Sequence, residues 1–153
     1  MRIHILQREQ RLRGAPGAVF PFFADARNLE AITPPLLRFR VITPDPIEMR
    51  PGTLIQYRLR LHGIGVSWLT SIQAWEPPHR FVDMQLRGPY ALWHHTHEFT
   101  AAPDDPEATI MRDTVRYAMP FGPLGTLADR LLVRRDLAAI FDYRRDQVPM
   151  LLR

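Results

Sequence analysis

His95 and His97 stand two apart in Trp93-His94-His95-Thr96-His97-Glu98-Phe99. Side chains two apart on a strand share a face, so if Trp93 and Phe99 point into a core, both imidazoles point there too. The same spacing puts Asp113 with Met111, Val115 and Tyr117, and sets Asp83 and Gln85 beside Phe81. Two His, two Asp, an amide and a phenol are therefore expected on one inner wall, next to Tyr57, Trp68 and Trp93. Ionisable groups are costly to bury unless they are paired or hydrogen-bonded, so this wall needs a physical account.

Three uses fit these residue types. In the first, Asp83 and Asp113 accept hydrogen bonds from His95, His97 or Tyr117 and fix the sheet. In the second, the polar groups orient a small molecule whose body stacks on Tyr57, Trp68, Trp93 and aliphatic neighbours. In the third, a carboxylate-poised His acts as general acid or base, with Asp113 as its orienter and Tyr117 as an enol or oxyanion donor. His95-x-His97 with Asp83 or Asp113 also has the makings of a two-His-one-carboxylate metal set. No third His falls on that face, because His94 points outward, and no metal is expected.

Other chemistry lacks its residues. The chain has no Cys, hence no thiol nucleophile, disulfide or Cys-ligated zinc. There is no Gly-x-Ser-x-Gly, and Ser67 and Ser71 fall opposite Trp68 and Thr70. No glycine-rich phosphate loop is present, so no cofactor is expected. His4, His62 and His79 lie near element ends and read as solvated, while Arg58 and Arg60 read as an outer sheet face.

Proline delimits the elements that must position this wall, since it neither donates to a ladder nor sits comfortably inside a helix. The opening residues read as a strand of ambiguous facing, with Ile3 and Ile5 set against Leu6 and Leu12. Phe20, Phe23 and Ala24 have helical spacing, with Pro21 limiting or kinking that helix, and a second short helix covers Ala26 to Ile32. From Leu37 to Tyr117 the period is two: Ile55, Tyr57, Leu59 and Leu61 alternate with Gln56, Arg58, Arg60 and His62. Turns at Arg50-Pro51-Gly52, Glu76-Pro77-Pro78 and Arg87-Gly88-Pro89 separate the strands of an antiparallel meander. After Gly122-Pro123-Leu124-Gly125, Thr126 is expected to cap a helix of roughly 35 Å. Leu127, Leu131, Ala138 and Phe141 are expected to be its apolar side. One strand, two short helices, about six strands and a long helix make an α+β arrangement.

The 153 residues suit one domain spanning 1–153, with 24% charged and 10% aromatic residues arguing against disorder. No apolar run is long enough for a membrane span, and charges interrupt the first residues before a signal peptide can form. A cytoplasmic protein without integral membrane association is expected. All 20 basic residues are Arg, against 16 acids, so the net charge is only +4. They are spread out, mostly beside acids, which does not suggest a nucleic-acid surface.

Several segments carry a family resemblance. They are Phe23-Ala24-Asp25-Ala26-Arg27-Asn28-Leu29-Glu30 with Ile32-Thr33-Pro34-Pro35, and Trp75-Glu76-Pro77-Pro78 with Phe81-Val82-Asp83. Gly88-Pro89-Tyr90 leading into the His95/His97 strand, Pro120-Phe121-Gly122-Pro123-Leu124-Gly125 and Ile140-Phe141-Asp142-Tyr143-Arg144 add to them. Over nearly its whole length the chain resembles the START-like, SRPBCC superfamily, and within it a bacterial branch of ligand-binding or polyketide cyclase/dehydrase-like proteins. The resemblance implies a helix-grip fold: a curved antiparallel sheet of six to seven strands around a long C-terminal helix, enclosing a cavity.

The expected function is binding of a hydrophobic, aromatic or amphipathic small molecule. The expected lining is Tyr57, Trp68, Phe81, Asp83, Gln85, Trp93, His95, His97, Phe99, Asp113, Tyr117 and Leu131. The alternative is a polyketide aromatase/cyclase- or dehydratase-like enzyme working through His95, His97, Asp113 and Tyr117. Loops at Pro34-Pro35 or Gly63-Ile64-Gly65 are the expected entrance. Oligomeric state is open.

Overall fold

The computed structural model describes residues 1–152. Strand β1 (His4–Arg13) leads into helices α1 (Pro16–Ala24) and α2 (Asn28–Ala31) and a 3-10 turn at Pro35–Leu37. Strands β2 (Arg40–Val41), β3 (Leu54–Leu61), β4 (Ile64–Glu76), β5 (Arg80–Arg87), β6 (Leu92–Ala102) and β7 (Asp105–Ala118) follow. Helix α3 (Gly122–Ala128), a π-helical turn (Asp129–Val133) and α4 (Arg134–Leu151) run on from one another as the long C-terminal helix. All seven strands form one antiparallel sheet, ordered β1-β7-β6-β5-β4-β3-β2. The sheet curls into a half-barrel around the C-terminal helix.

Period-two patterning sets the inner face. On β3, Ile55, Tyr57 and Leu59 are buried while Gln56, Arg58 and Arg60 are exposed. The ambiguity in β1 resolves in favour of Leu12, which is buried, whereas Ile3 and Ile5 face solvent. His4 follows Leu12 inward. Its side chain is nearly buried, its ring packs on Tyr117 and its Nε2 lies 3.5 Å from Asp129. This corrects the expectation of a solvated residue: two-residue spacing from Leu12 outweighs proximity to the strand end.

The terminal helix differs from expectation in two ways. It begins four residues before Thr126, whose hydroxyl donates to the Gly122 carbonyl instead of capping a free N–H. Its buried stripe is Gly125, Asp129, Leu137, Phe141 and Val148, while Leu127 and Leu131 are exposed. A Cβ at Gly125 would run into the Pro120 carbonyl oxygen, so only glycine permits this close approach. The π turn, closed by the Arg134 N–H on the Asp129 carbonyl, spends an extra residue per turn. A face projected at constant helical period across it comes out wrong.

Three aromatic-rich clusters make the core. Phe20, Phe23, Phe81 and Phe99 pack with Val148 at one end of the sheet. Ile55, Tyr57 and Ile72 form the β3–β4 side. Trp93, Val115 and Tyr117 meet Leu137 and Phe141 of the helix.

Candidate functional site

Between the last two clusters lies a cavity of about 140 Å³. Its sheet wall carries Tyr57, Trp68, Thr70, Asp83, Trp93, His95 and His97, and the helix supplies Leu137, Ile140, Phe141 and Arg144. Thr33, Leu37, Phe39 and Leu61 rim it next to the 3-10 turn and the β3–β4 turn. A larger open depression of about 550 Å³ lies on the outer sheet face among Arg38, Arg40, Arg58 and Arg60. It holds none of the paired titratable groups, so the smaller cavity is the candidate site.

Strand register brings the polar wall together. His97 lies opposite Asp113 across β6–β7, and His95 lies opposite Asp83 across β5–β6. The hydrogen bonds nevertheless run diagonally. His95 Nε2 is 2.8 Å from Asp113 Oδ1, and His97 Nε2 is 2.6 Å from Asp83 Oδ2. Each imidazole thus bonds the carboxylate that faces the other. The rings stack with centroids 3.7 Å apart, and Phe81 backs His97 at 3.9 Å. His97 Nδ1 comes within 3.3 Å of Asp113 Oδ1 but off hydrogen-bond geometry, and it is buried without a partner among the described residues.

The electrostatics of this square follow from burial set against pairing. Burial pushes the Asp83 carboxyl up, but the His97 hydrogen bond and both imidazole charges more than reverse that, holding it below the usual range. Asp113 is likewise pushed up by burial and then held well below the usual range by its hydrogen bond to His95 and the close approach of His97. Burial and the neighbouring His97 charge keep His95 below an ordinary imidazole. Burial would also lower His97, yet the two carboxylates outweigh it and raise that imidazole. The square thus pushes its two imidazoles apart, His97 upward and His95 downward. Burial, with a contribution from Asp83, pushes the Tyr57 phenol up, so it stays protonated as a donor on the cavity wall.

Asp83, His95 and His97 offer ligand atoms within 4.8 Å of one another. Both Nε2 atoms already bond carboxylates, so an ion there would compete with those hydrogen bonds.

Of the expected lining residues, Tyr57, Trp68, Asp83, Trp93, His95 and His97 meet at the cavity. Asp113 stands behind His95 and faces a groove on the far side of α4. Phe81 and Phe99 belong to the first core cluster. Gln85 is used in a turn: its amide donates to the Tyr90 carbonyl, and its Oε1 accepts from the Tyr90 N–H. Tyr117 donates to Asp129 Oδ1 at 2.6 Å, which commits the hydroxyl expected to serve an enol. Leu131 is 65% exposed on the solvent side of the helix.

Arg144, Thr70, Tyr90 and Phe141 were missed. Alternation from Trp68 points to Thr70, whose hydroxyl accepts the Trp68 indole N–H at 3.0 Å. Nothing local in the sequence separates Arg144 from its neighbour Arg145, which pairs with Asp146 at the surface.

No protein-family model matches the chain, and no curated protein matches it. Solved structures do. An aromatase/cyclase from a Streptomyces species superimposes with a TM-score of 0.76 at 13% identity, covering 99% of this chain and 94% of that one. A START superfamily protein from Mycobacterium smegmatis gives 0.67 at 13% identity, covering 97% and 99%. Norcoclaurine synthase from Thalictrum, a point mutant in complex with a transition-state analogue, gives 0.69 at 11% identity over 99% and 94%. The chain shares the helix-grip fold of these structures.

Proposed function

We propose that the protein reversibly binds a hydrophobic or amphipathic small molecule in the cavity between sheet and C-terminal helix. The observation that carries this is the wall itself. Aromatic and aliphatic side chains from the sheet and both rims converge on a space that no side chain fills, with a few polar groups at one end. A volume of about 140 Å³ is the scale at which an apolar cavity takes up a single benzene-sized ring. Burying roughly 100–150 Å² of ligand surface at about 25 cal/mol per Å² contributes on the order of 2.5–4 kcal/mol before binding losses. Ligands of one ring, held loosely, fit this reading best.

A second reading is an acid/base enzyme, supported by the paired His95–Asp113 and His97–Asp83 at the wall. A polyketide chain exceeds about 140 Å³, so only part of one would lie inside the cavity. Under this reading His97→Asn lowers turnover by about 100-fold while binding survives. Under the binding reading it changes affinity alone.

Native and denaturing mass spectra of gently purified protein test the main reading, with the solvent extract analysed for released molecules. A native mass excess lost on denaturation supports it. A bare mass, together with no response to added aromatic compounds, overturns it.

A further inference from the structure

Many arginines of this chain have an acid to meet. Arg8, Arg11, Arg27 and Arg80 each lie 2.6–2.8 Å from a carboxylate oxygen. Arg38, Arg40, Arg58 and Arg60 are different. All four are exposed on the outer face of the sheet, around the open depression of about 550 Å³, and no acid among the described residues lines it.

Three consecutive elements and their register bring these charges together. Arg58 and Arg60 stand two apart on β3 and share its outer face, while Tyr57 and Leu59 turn toward the cavity. Arg40 on β2 is the register partner of Arg58, and like charges directly opposite one another weaken a strand pair. Arg38 closes the 3-10 turn at φ 46° and ψ 44°, a left-handed conformation that costs energy for any residue with a side chain. On β4, Gly65 lies opposite Arg60 and Ser67 opposite Arg58, so the floor between the guanidiniums carries little side chain. A Cβ at Gly65 would meet only open space. The repulsion and the left-handed arginine both oppose folding, and an anion held among the four guanidiniums would offset the repulsion.

We propose that this depression is an anion site that takes a diphosphate group, two linked phosphoryl groups carried by a small soluble molecule. A guanidinium stays charged at every pH the protein meets, and its planar fork matches a pair of phosphate oxygens. One phosphoryl group brings about −1.5 to −2 charge at pH 7, so two linked groups come near to matching four arginines, whereas one leaves about half of that charge unmet. The cluster is compact enough for one such group: register partners lie about 5 Å apart at Cα, and residues two apart on a strand about 7 Å. The site faces away from the cavity, on the other side of β3, so it stands independently of the binding reading above.

Calorimetric titration at about 0.15 M salt, where long-range attraction between exposed charges is screened, tests the proposal with pyrophosphate and inorganic phosphate. Pyrophosphate is expected to bind about ten-fold more tightly than phosphate, and Arg40→Gln and Arg58→Gln are each expected to weaken it about ten-fold. Arg130→Gln removes the same charge from the exposed face of the C-terminal helix and is expected to change pyrophosphate affinity less than about two-fold. Urea midpoints confirm that the variants are folded, and the comparison of the two anions on wild-type protein needs no variant. Absence of pyrophosphate binding, phosphate binding as tightly as pyrophosphate, or an equal loss in Arg130→Gln overturns the proposal. Binding to phosphatidylglycerol vesicles with pyrophosphate silent also overturns it, and assigns the arginines to lipid headgroups at a surface. None of these outcomes bears on the ligand cavity.

Discussion

Two buried polar groups flank the same stretch of helix and are built on different principles. Under the start of the C-terminal helix, Asp129 is fully buried with both oxygens engaged: Oδ1 by the Tyr117 hydroxyl at 2.6 Å and Oδ2 by Arg134 at 2.7 Å. Its counter-charge reaches solvent, the Arg134 side chain being 53% exposed. Beside the cavity, two carboxylates bond two stacked imidazoles, and among the described residues His97 Nδ1 and Arg144 Nε are buried without a hydrogen-bond partner. The first group is satisfied and holds the fold. The second is paired in charge yet leaves two buried nitrogens without a hydrogen-bond partner among the described residues.

Removing the satisfied carboxylate is the most direct way to break this contrast. Asp129→Ala is expected to cost about 2–3 kcal/mol, because the Tyr117 hydroxyl is left buried without an acceptor while half-exposed Arg134 returns to water cheaply. Urea unfolding measures this, and a loss below about 0.5 kcal/mol would show that the group does not hold the fold. Tyr117→Phe removes one hydrogen bond and leaves the ion pair, so the expected loss is about 1–2 kcal/mol, with ligand binding unchanged. A large change in affinity instead would give Tyr117 a role at the cavity.

The pH dependence sharpens the contrast from the other side. His97 is raised in the folded protein, so its stabilisation is whole below the ordinary imidazole value near 6.5 and is lost as pH climbs through its higher folded value. His95 is lowered, so its share is whole above about 6.5 and is lost as pH falls through its folded value. Asp83 and Asp113 are lowered, and their stabilisation is whole above the ordinary carboxylate value and lost only in stronger acid. Stability is therefore expected to peak near pH 6.5. His97→Gln removes the falling limb above it, while Tyr117→Phe leaves that limb in place. Urea midpoints taken between about pH 5.5 and 8.5 decide this; a falling limb of unchanged size in His97→Gln shows that His97 is not its source.

The smallest effect is expected at Leu131. Leu131→Ser should change stability and ligand affinity by less than about 0.5 kcal/mol, since the side chain is 65% exposed. A clear loss of binding would bring the helix's solvent face into the site.

How far the site was legible depended on the element. On strands, alternation from Trp93 and Phe99 leads directly to His95 and His97, and from Met111 to Asp113, because a strand has a rigid two-residue period. On the helix the same confidence in period misplaces Leu127 and Leu131. A π turn interrupts the phase, and the polar Asp129 and the glycine at 125 occupy the buried stripe where apolar residues were sought. Gln85 and Tyr117 were placed on the inner face by spacing, but spacing does not say what a side chain bonds. Gln85 turns to the Tyr90 backbone and Tyr117 to Asp129.

The residues by themselves determined the order of elements, the inward face of β3, β6 and β7, and the presence of an ionisable wall. All of these are local properties of period and polarity. Tertiary structure decided the rest: which carboxylate each imidazole bonds, which of several arginines reaches the cavity, and how small the cavity is. Diagonal pairing depends on the register of β5, β6 and β7 together, and the position of Arg144 depends on the helix phase after the π turn. Such contacts join residues distant in sequence, and their energies exist only once the sheet has closed on the helix.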